Sequence, residues 1–412
     1  MELKGQKIYE NKLILLFFLT WGFLFIDRLA ISIVLPVIVP DLQITNTQVG
    51  IVNMGFTVGW AVSAIILGGI ADKKGNLKMW LLISGFGTAI FGAACALSNS
   101  FETLLILRTL VGIAEGPFVT FLMAVLGKSI SQGRLGLGVG IVNAGVSVIA
   151  ITFGPIFLTQ LIAVTTWQMT FLVAALPGLI FMIVVWRFVK PVEEDPKSET
   201  TEGVPGKPKN MFAELWSYRN FRVCCILAFT HMAGYYVMQI YASLYFTEVG
   251  NMDVQTWGFL MAAMGFVGMA TSIIFPKISD NFGRKPVLLV SYILCVLPSL
   301  FMFLLPGSMI SAVFYVAFAG LPGAIGIFWI NLIPMETLPP YLTASGMAIP
   351  MALGELIGGA LIGTIAGVVA DSFGLANMMI IVSIGFLVSF FVCLPLIETA
   401  PRALERIAKK NS

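Results

Sequence analysis

Long apolar runs, each of about 20 residues or more, follow one another along the sequence with short polar segments between them. An α-helix of that length crosses the hydrocarbon core of a bilayer. Only 11% of the residues are charged, well below the roughly 25% of soluble globular domains. The sequence therefore predicts an all-α membrane protein with twelve transmembrane helices. The predicted helices lie near residues 13–36, 47–71, 78–98, 102–127, 135–159, 164–189, 219–245, 256–277, 285–305, 309–334, 341–369 and 374–397.

Basic residues are concentrated in alternate loops. Lys73, Lys128 and Lys277 lie in such loops, which alternate with loops that contain no Lys or Arg. Short cytoplasmic loops carry the excess of Lys and Arg in membrane proteins. The pattern predicts a multi-pass protein with both termini in the cytoplasm.

A polar segment near the middle of the chain separates two groups of six runs. Residues 190–218 mix charged residues with Pro and Gly and lack apolar periodicity, as flexible linkers do. We expect an N-terminal six-helix half over 1–189, a cytoplasmic linker over 190–218, and a C-terminal six-helix half over 219–412 that ends in a short cytoplasmic tail.

The two halves share a short repeated pattern. Gly50 and the segment 72–75 have counterparts in Gly258 and the segment 280–283, both at an offset of 208 residues. The common offset favours an internal duplication. Parallel six-helix repeats are typical of transporters, which bind substrate near the bilayer midplane where the repeats meet.

The composition disfavours several classes of protein. The net charge of +3 is spread over short loops, which argues against nucleic-acid binding. The sequence has neither a phosphate-binding loop for an ATP-driven pump nor a nucleophile–base arrangement for an enzyme, so no catalysis and no cofactor are expected. The cysteines lack metal-ligand spacing and are predicted to be small buried hydrophobic residues, without a disulfide or a metal site. They are Cys95, Cys224, Cys225, Cys295 and Cys393.

Two arginines lie inside apolar runs, Arg28 in the first predicted helix and Arg108 in the fourth. A charge at bilayer depth is disfavoured by about 2.5–3.5 kcal/mol on insertion scales, so it faces a partner or a water-filled cavity. Asp27 and Arg28 point about 100° apart around a helix, whereas Arg108 and Glu115 share one side. Arg suits carboxylate recognition because its planar guanidinium donates two parallel hydrogen bonds. The alternative is that these pairs only lock helices together.

A polar stripe follows one face of the seventh predicted helix, where His231, Tyr235 and Gln239 recur every four residues. Tyr235 and Gln239 are candidates to bind substrate hydroxyls, and Asn143 in the fifth helix is another. Groups that can bind hydroxyls slightly favour a sugar acid as the substrate. Helix packing is the alternative for each of them.

Glu355 is a third acid inside an apolar run, in the eleventh predicted helix. Gly354, Gly358 and Gly359 flank it and allow close approach of another helix. Two interpretations stay open for Glu355: a proton-coupling or substrate residue of the second half, or a hydrogen-bond partner of Asn331. Asn331 is itself a candidate substrate ligand.

The segment Gly68-Gly69-Ile70-Ala71-Asp72-Lys73-Lys74-Gly75 resembles the loop signature of the major facilitator superfamily. A weaker echo, Asp280-Asn281-Phe282-Gly283-Arg284-Lys285, occupies the equivalent place in the second half. The resemblance covers essentially the whole chain and implies the major facilitator fold, with Asp72 and Asp280 as gating residues. Asn76-Leu77 stands where the family has a basic pair, which would weaken charge contacts at the cytoplasmic gate.

Within that superfamily, Asp27-Arg28 and Arg108-x6-Glu115-Gly116-Pro117 are similar to the anion:cation symporter family. The resemblance implies carboxylate binding at Arg28 and Arg108 and proton carriage at Asp27 and Glu115. The seventh helix has no Arg, unlike vesicular glutamate-type relatives, so the resemblance favours a bacterial sugar-acid or related monocarboxylate carrier in the cytoplasmic membrane.

The expected function is secondary active transport by alternating access, importing a small organic anion with protons. The expected partners are the organic anion, protons and the lipid bilayer, and the expected state is a monomer. An organic-anion exchanger or exporter on the same fold is the main alternative, which counterflow without proton dependence would favour. A transport-inactive membrane sensor is a further alternative, which ligand binding without flux would favour.

Overall fold

The computed structural model describes residues 2–191, 211–400 and 402–405. This part of the chain is built from helices and contains no β-strand. Twelve of its helices are long and apolar enough to cross a membrane, which confirms the predicted fold class. We label them α1 Gln6–Leu42, α2 Asn46–Ala71, α3 Leu77–Leu97, α4 Phe101–Ser129, α5 Leu137–Val164, α6 Trp167–Phe188, α7 Arg219–Val249, α8 Val254–Phe282, α9 Arg284–Leu304, α10 Met309–Thr337, α11 Ser345–Phe373 and α12 Leu375–Cys393.

Several helices continue beyond the part that can span a membrane. The apolar rule detects only residues at hydrocarbon depth, so it predicted the first helix over 13–36, whereas the continuous helix is far longer. The α1 helix runs over Glu2–Leu42 and the α2 helix over Asn46–Lys74. The first helical segments of α5 and α11 also begin before the spans, and they cover Gln132–Gly145 and Pro340–Leu353. A separate short helix covers Met211–Ser217.

Breaks interrupt α4 and α10. In α4, the α-helices Phe101–Glu115 and Phe118–Ser129 flank Gly116-Pro117. In α10, the break separates Met309–Phe318 from Leu321–Ile327. Proline disrupts a helix because it lacks an amide hydrogen and its ring crowds the preceding turn. Wider π-helical turns, which often mark functional sites, occur at Val146–Phe153, Tyr245–Val249, Phe328–Leu332 and Gly354–Leu361.

The predicted duplication is visible in how α2 and α8 end. Gly75 and Gly283, which are 208 residues apart, both have positive φ, at 68° and 106°. Their amides donate to the carbonyls of Ala71 and Ser279 at 2.8 and 2.9 Å, which are again 208 residues apart. Glycine tolerates positive φ because it has no Cβ, so the repeated glycine follows from repeated turn geometry.

Close glycine contacts join α2 to α4. A Cβ on Gly112 would overlap the backbone of Phe56, and a Cβ on Gly116 would overlap the backbone of Trp60. Small residues let two membrane helices approach until their backbones touch. The rings of Phe56 and Trp60 are therefore carried on a helix whose distance from α4 is fixed.

A similar contact joins α7 to α11. Gly354 and Gly358 lie against the backbone of α7 near Ala228, Phe229 and Ala233, so the predicted close approach around these glycines is confirmed. The five cysteines are free and buried, as expected of small hydrophobic residues.

The chain forms two compact units, Met1–Ser198 with Met252–Ala262 and Glu199–Asn251 with Ala263–Ser412. Residues 192–210, the greater part of the predicted 190–218 linker, lie outside the described residues. The end of that predicted segment forms the short helix Met211–Ser217.

Candidate functional site

An ion pair links α1 to α4 in the first unit. Arg28 Nη1 donates to Glu115 Oε1 at 3.1 Å. The Glu115 side chain is 1% exposed and the Arg28 side chain 17%. Both residues belong to apolar spanning helices, so each charge is stabilised by the other at bilayer depth. The sequence predicted each residue as functional but did not predict that they pair.

Aromatic rings surround the Arg28 guanidinium. Its central carbon lies 5.3 Å from the ring centroid of Phe25, 5.1 Å from that of Phe56 and 5.8 Å from that of Trp60. The Arg108 guanidinium shares Phe56, at 5.0 Å. Cation–π contacts of this kind stabilise a desolvated guanidinium. These rings were not predicted from the sequence, in which the helical spacing of Phe56 and Trp60, four residues apart, is the signal that bears on them.

Arg108 is more deeply buried than Arg28 and is 2% exposed. Its two terminal nitrogens donate to the backbone carbonyls of Asp27, at 3.5 Å, and of Arg28, at 3.4 Å. These distances are at the long end of the hydrogen-bond range. Arg108 thus connects α4 to the turn of α1 that carries both predicted charges.

Asp27 is 1% exposed, and neither of its carboxylate oxygens accepts a hydrogen bond from a described residue. The carboxylate lies directly against Gly92 of α3, where a Cβ would overlap it. The side chain therefore points into the helix packing of α1 and α3, whereas Arg28 reaches Glu115 on α4. This agrees with the predicted divergence of the two adjacent side chains around α1.

In the second unit, the predicted stripe on α7 forms a connected row. Gln239 Nε2 donates to Tyr235 Oη at 2.8 Å, and the Tyr235 ring stacks on His231 with centroids 6.2 Å apart. His231 is buried, and its Nδ1 lies 3.3 Å from Tyr292 Oη. His231 also contacts Trp329 edge-to-face. These contacts make His231 part of the helix packing, while Tyr235 and Gln239 are half-buried.

Glu355 lies in the π-helical turn of α11 and accepts a hydrogen bond from Tyr236 of α7. Tyr236 directly follows Tyr235 but points about 100° away from it around α7, so it was not part of the predicted stripe. Asn331 lies in the π-helical turn of α10. In the first unit, Asn143 is exposed and donates its amide to the Val139 carbonyl of its own helix at 3.1 Å.

A charged cluster lies where α8 meets α9. Arg284 Nη2 is 2.7 Å from Asp280 Oδ1 and 2.7 Å from Glu336 Oε1, and its Nη1 donates to Ser279. Glu336 is at the end of α10, so one guanidinium connects three helices. The side chain of Asp72, the equivalent predicted gating residue of the first half, lies outside the described side chains.

The same cluster includes the segment after α12. Glu398 accepts the backbone amides of Arg284 and Lys285 at 2.7 and 3.1 Å. Thr399 Oγ1 donates to Glu336 Oε2 at 2.6 Å. The start of α9, the end of α10 and the segment after α12 are thus tied together by carboxylates.

Comparison with known proteins shows which family the sequence matches. The sequence model of the Major Facilitator Superfamily matches residues 14–362. The chain is 27% identical to the hexuronate transporter of Bacillus subtilis over 286 residues, which cover 67% of this chain and 66% of that protein, just under two thirds. It is 24% identical to the probable 4-methylmuconolactone transporter of Cupriavidus pinatubonensis over 408 residues, covering 95% of this chain and 91% of that protein.

The fold also resembles solved structures. A bacterial homologue of the human lysosomal transporter Spinster superposes with a TM-score of 0.79 at 17% identity, covering 94% of this chain and 97% of that chain. At this identity the likeness concerns the fold alone, and it agrees with the twelve spanning helices.

Proposed function

Since the chain belongs to the Major Facilitator Superfamily, a superfamily of membrane transporters rather than enzymes, we propose that it is a secondary active transporter of a small organic anion, a sugar acid or another carboxylate. It carries this anion inward with protons, by alternating access. The relatives named for hexuronate and 4-methylmuconolactone support a cargo of this kind. The multi-pass membrane character follows from the spanning helices.

The observation that carries the proposal is the Arg28–Glu115 ion pair. Glu115 occupies one part of the guanidinium edge, and the Arg28 side chain keeps partial exposure. A carboxylate cargo presents the same chemical group as Glu115 and competes for the same donors, which recognise carboxylates in a planar, two-bond geometry. Arg28 is therefore assigned the first contact with the anion, and Arg108 the second, once its bonds to the α1 carbonyls open.

Competition for Arg28 gives a physical route to proton coupling. When the cargo takes the guanidinium, Glu115 loses part of its counter-charge in a buried position, and a proton then replaces that charge. Asp27, already without a hydrogen-bond donor among the described residues, carries a second proton. Binding of anion and of protons then favour each other, as linkage between two sites requires.

The remaining roles are proposed from sequence position and, for Glu355 and Asp280, from one contact each. Tyr235, Gln239, Asn143 and Asn331 are assigned to the cargo, and Glu355, bonded to Tyr236, to proton coupling in the second unit. Asp280 is assigned to gating through its pair with Arg284, and Asp72 to the corresponding role in the first half. We place both termini in the cytoplasm on the distribution of the basic loops. We also propose that the protein is a monomer, and the resemblance to bacterial sugar-acid carriers favours the bacterial cytoplasmic membrane.

Uptake into proteoliposomes tests the proposal. Organic anions that raise the thermal unfolding midpoint of the purified protein are first identified, and their uptake is then measured with and without an inward proton gradient. Symport predicts accumulation that depends on the gradient. Counterflow that ignores the gradient would replace symport with exchange, and stabilisation by an anion without any flux would indicate a sensor.

A further inference from the structure

Resting on the proposed function, we propose that three aromatic rings around Arg28 select the cargo by the part of the molecule attached to its carboxylate, here called its body. These rings, Phe25, Phe56 and Trp60, are called the aromatic collar. The collar favours a carboxylate carried on a flat, weakly hydroxylated body, such as an aromatic or unsaturated acid, over a polyhydroxylated sugar acid.

The collar lies beside the guanidinium that is proposed to receive the cargo carboxylate. The three ring centroids are 5.1–5.8 Å from the guanidinium carbon. We expect the first carbons of a carboxylate bonded to this guanidinium to contact the rings. Flat unsaturated carbon packs on aromatic rings through offset-stacked and edge-to-face contacts, whereas ring carbon offers no partner to a hydroxyl group.

The hydroxyl groups on nearby turns of the neighbouring helices are already engaged within their own helices. Thr57 Oγ1 donates to the Asn53 carbonyl at 2.9 Å, Ser63 Oγ to the Trp60 carbonyl at 3.1 Å, and Thr109 Oγ1 to the Leu105 carbonyl at 2.8 Å. Two of these hydroxyls also lie within the contact between α2 and α4, Thr109 Oγ1 against Gly55 and Ser63 Oγ against Gly116. A sugar acid would therefore lose water from its hydroxyls without gaining these groups as partners. Each hydroxyl left without a partner lowers affinity by about tenfold.

One amide on the ring-bearing face of α2 is different. Asn53 precedes Phe56 by three residues and Trp60 by seven, which places all three on one side of the helix. Its Nδ2 atom is buried and has no hydrogen-bond partner among the described residues. A single donor suits one further acceptor oxygen on the cargo, such as a carbonyl, and not a row of hydroxyls.

The backbone that carries two of the collar rings is held closely against α4. Gly112 and Gly116 bring α4 onto the backbone of Phe56 and Trp60, and α4 also carries Glu115, the partner of Arg28. A fixed wall discriminates better than one that repacks around each ligand.

Binding of matched probes tests the proposal. Dissociation constants of the purified full chain are measured by titration calorimetry for benzoate and cinnamate, and for glucuronate and galactonate. We expect at least one planar acid to bind tenfold or more tightly than either sugar acid. A sugar acid that binds as tightly as both planar acids, or more tightly, would overturn the inference while leaving the proposed function intact.

Variants separate the collar from the guanidinium. Trp60→Leu and Phe56→Leu each remove one wall and are expected to reduce the planar-to-sugar affinity ratio at least threefold, whereas Phe153→Leu, at an exposed ring of α5 stacked on Phe157, leaves it unchanged. A ratio unchanged in both collar variants contradicts the inference. Arg28→Gln should abolish binding of all four probes, and its failure to do so would instead contradict the proposed function.

Discussion

Arg28 and Glu115 meet across 3.1 Å between α1 and α4, each at bilayer depth and each the other's counter-charge. In the proposed mechanism, a cargo carboxylate competes with the glutamate for this arginine. Binding of the anion and protonation of Glu115 are then expected to accompany each other.

The first prediction concerns the guanidinium itself. Arg28→Gln removes the charge and is expected to lower uptake of the stabilising anion by at least 100-fold. Arg28→Lys keeps a charge but loses the planar two-bond geometry, so it should raise the KM by at least tenfold while the fold persists. Arg187→Gln removes an exposed charge at the end of α6 and should leave the initial uptake rate unchanged. Wild-type uptake by Arg28→Gln would show that another group receives the anion.

The second prediction concerns Asp27. Asp27→Asn keeps the size of the side chain but cannot exchange a proton. Uptake should therefore lose the part of its stimulation by a proton gradient that the proton proposed on Glu115 does not supply, while anion counterflow continues. The matched control is Glu10→Gln, because Glu10 is also buried but is bonded to Arg134 and Ser131. Glu10→Gln should lower the unfolding midpoint and keep the gradient dependence. The reverse assignment of these two effects would contradict the role given to Asp27.

A third prediction follows from the contact between Asp27 and Gly92. A Cβ at Gly92 would overlap the Asp27 carboxylate, so Gly92→Ala should move that carboxylate and reduce the ratio of gradient-driven uptake to counterflow. Gly140→Ala is the control, because a Cβ there meets open space and the substitution by itself favours the helix by about 0.5–1 kcal/mol. If Gly92→Ala behaves like Gly140→Ala in both assays, the packing of Asp27 does not govern coupling.

A fourth prediction concerns the Arg284 cluster. Arg284→Gln removes a guanidinium that is 5% exposed, together with its ion pairs to the more exposed Glu336 and Asp280. Hydrogen bonds to charged groups contribute about 1.5–3 kcal/mol, so the thermal unfolding midpoint should fall by several degrees. Lys277→Gln removes an exposed charge nearby and should leave the midpoint within a degree or so of wild type. Equal midpoints for the two variants would mean that the cluster does not hold α8, α9 and α10 together.

The fold could be predicted almost completely from sequence because the bilayer imposes a length on each helix. All twelve helices were found, and the offset of 208 residues predicted a duplication that Gly75 and Gly283 display in their backbone angles. The ends of α1 were missed because the helix continues past the apolar run through polar residues. One of these, Glu10, is buried and pairs with Arg134.

The sequence predicted individual residues of the candidate site but not which of them contact each other. Spacing along one helix could place Arg108 and Glu115 on a common side, yet the partner of Glu115 is Arg28, 87 positions away, and no pattern within one helix contains that information. The rings of Phe56 and Trp60 were missed for a related reason: in a chain with 32 phenylalanines, only the three-dimensional contact distinguishes a ring beside a cation from a ring facing lipid.

Proton movement in proteoliposomes tests most directly whether anion and proton are coupled through Arg28. Vesicles that contain a trapped pH-sensitive dye are exposed to the anion that most stabilises the purified protein. For the wild-type protein we expect the lumen to acidify as the anion enters, and for Arg28→Gln we expect neither anion entry nor acidification. Anion entry into wild-type vesicles with no change in luminal pH, or acidification that survives in Arg28→Gln, would contradict the mechanism.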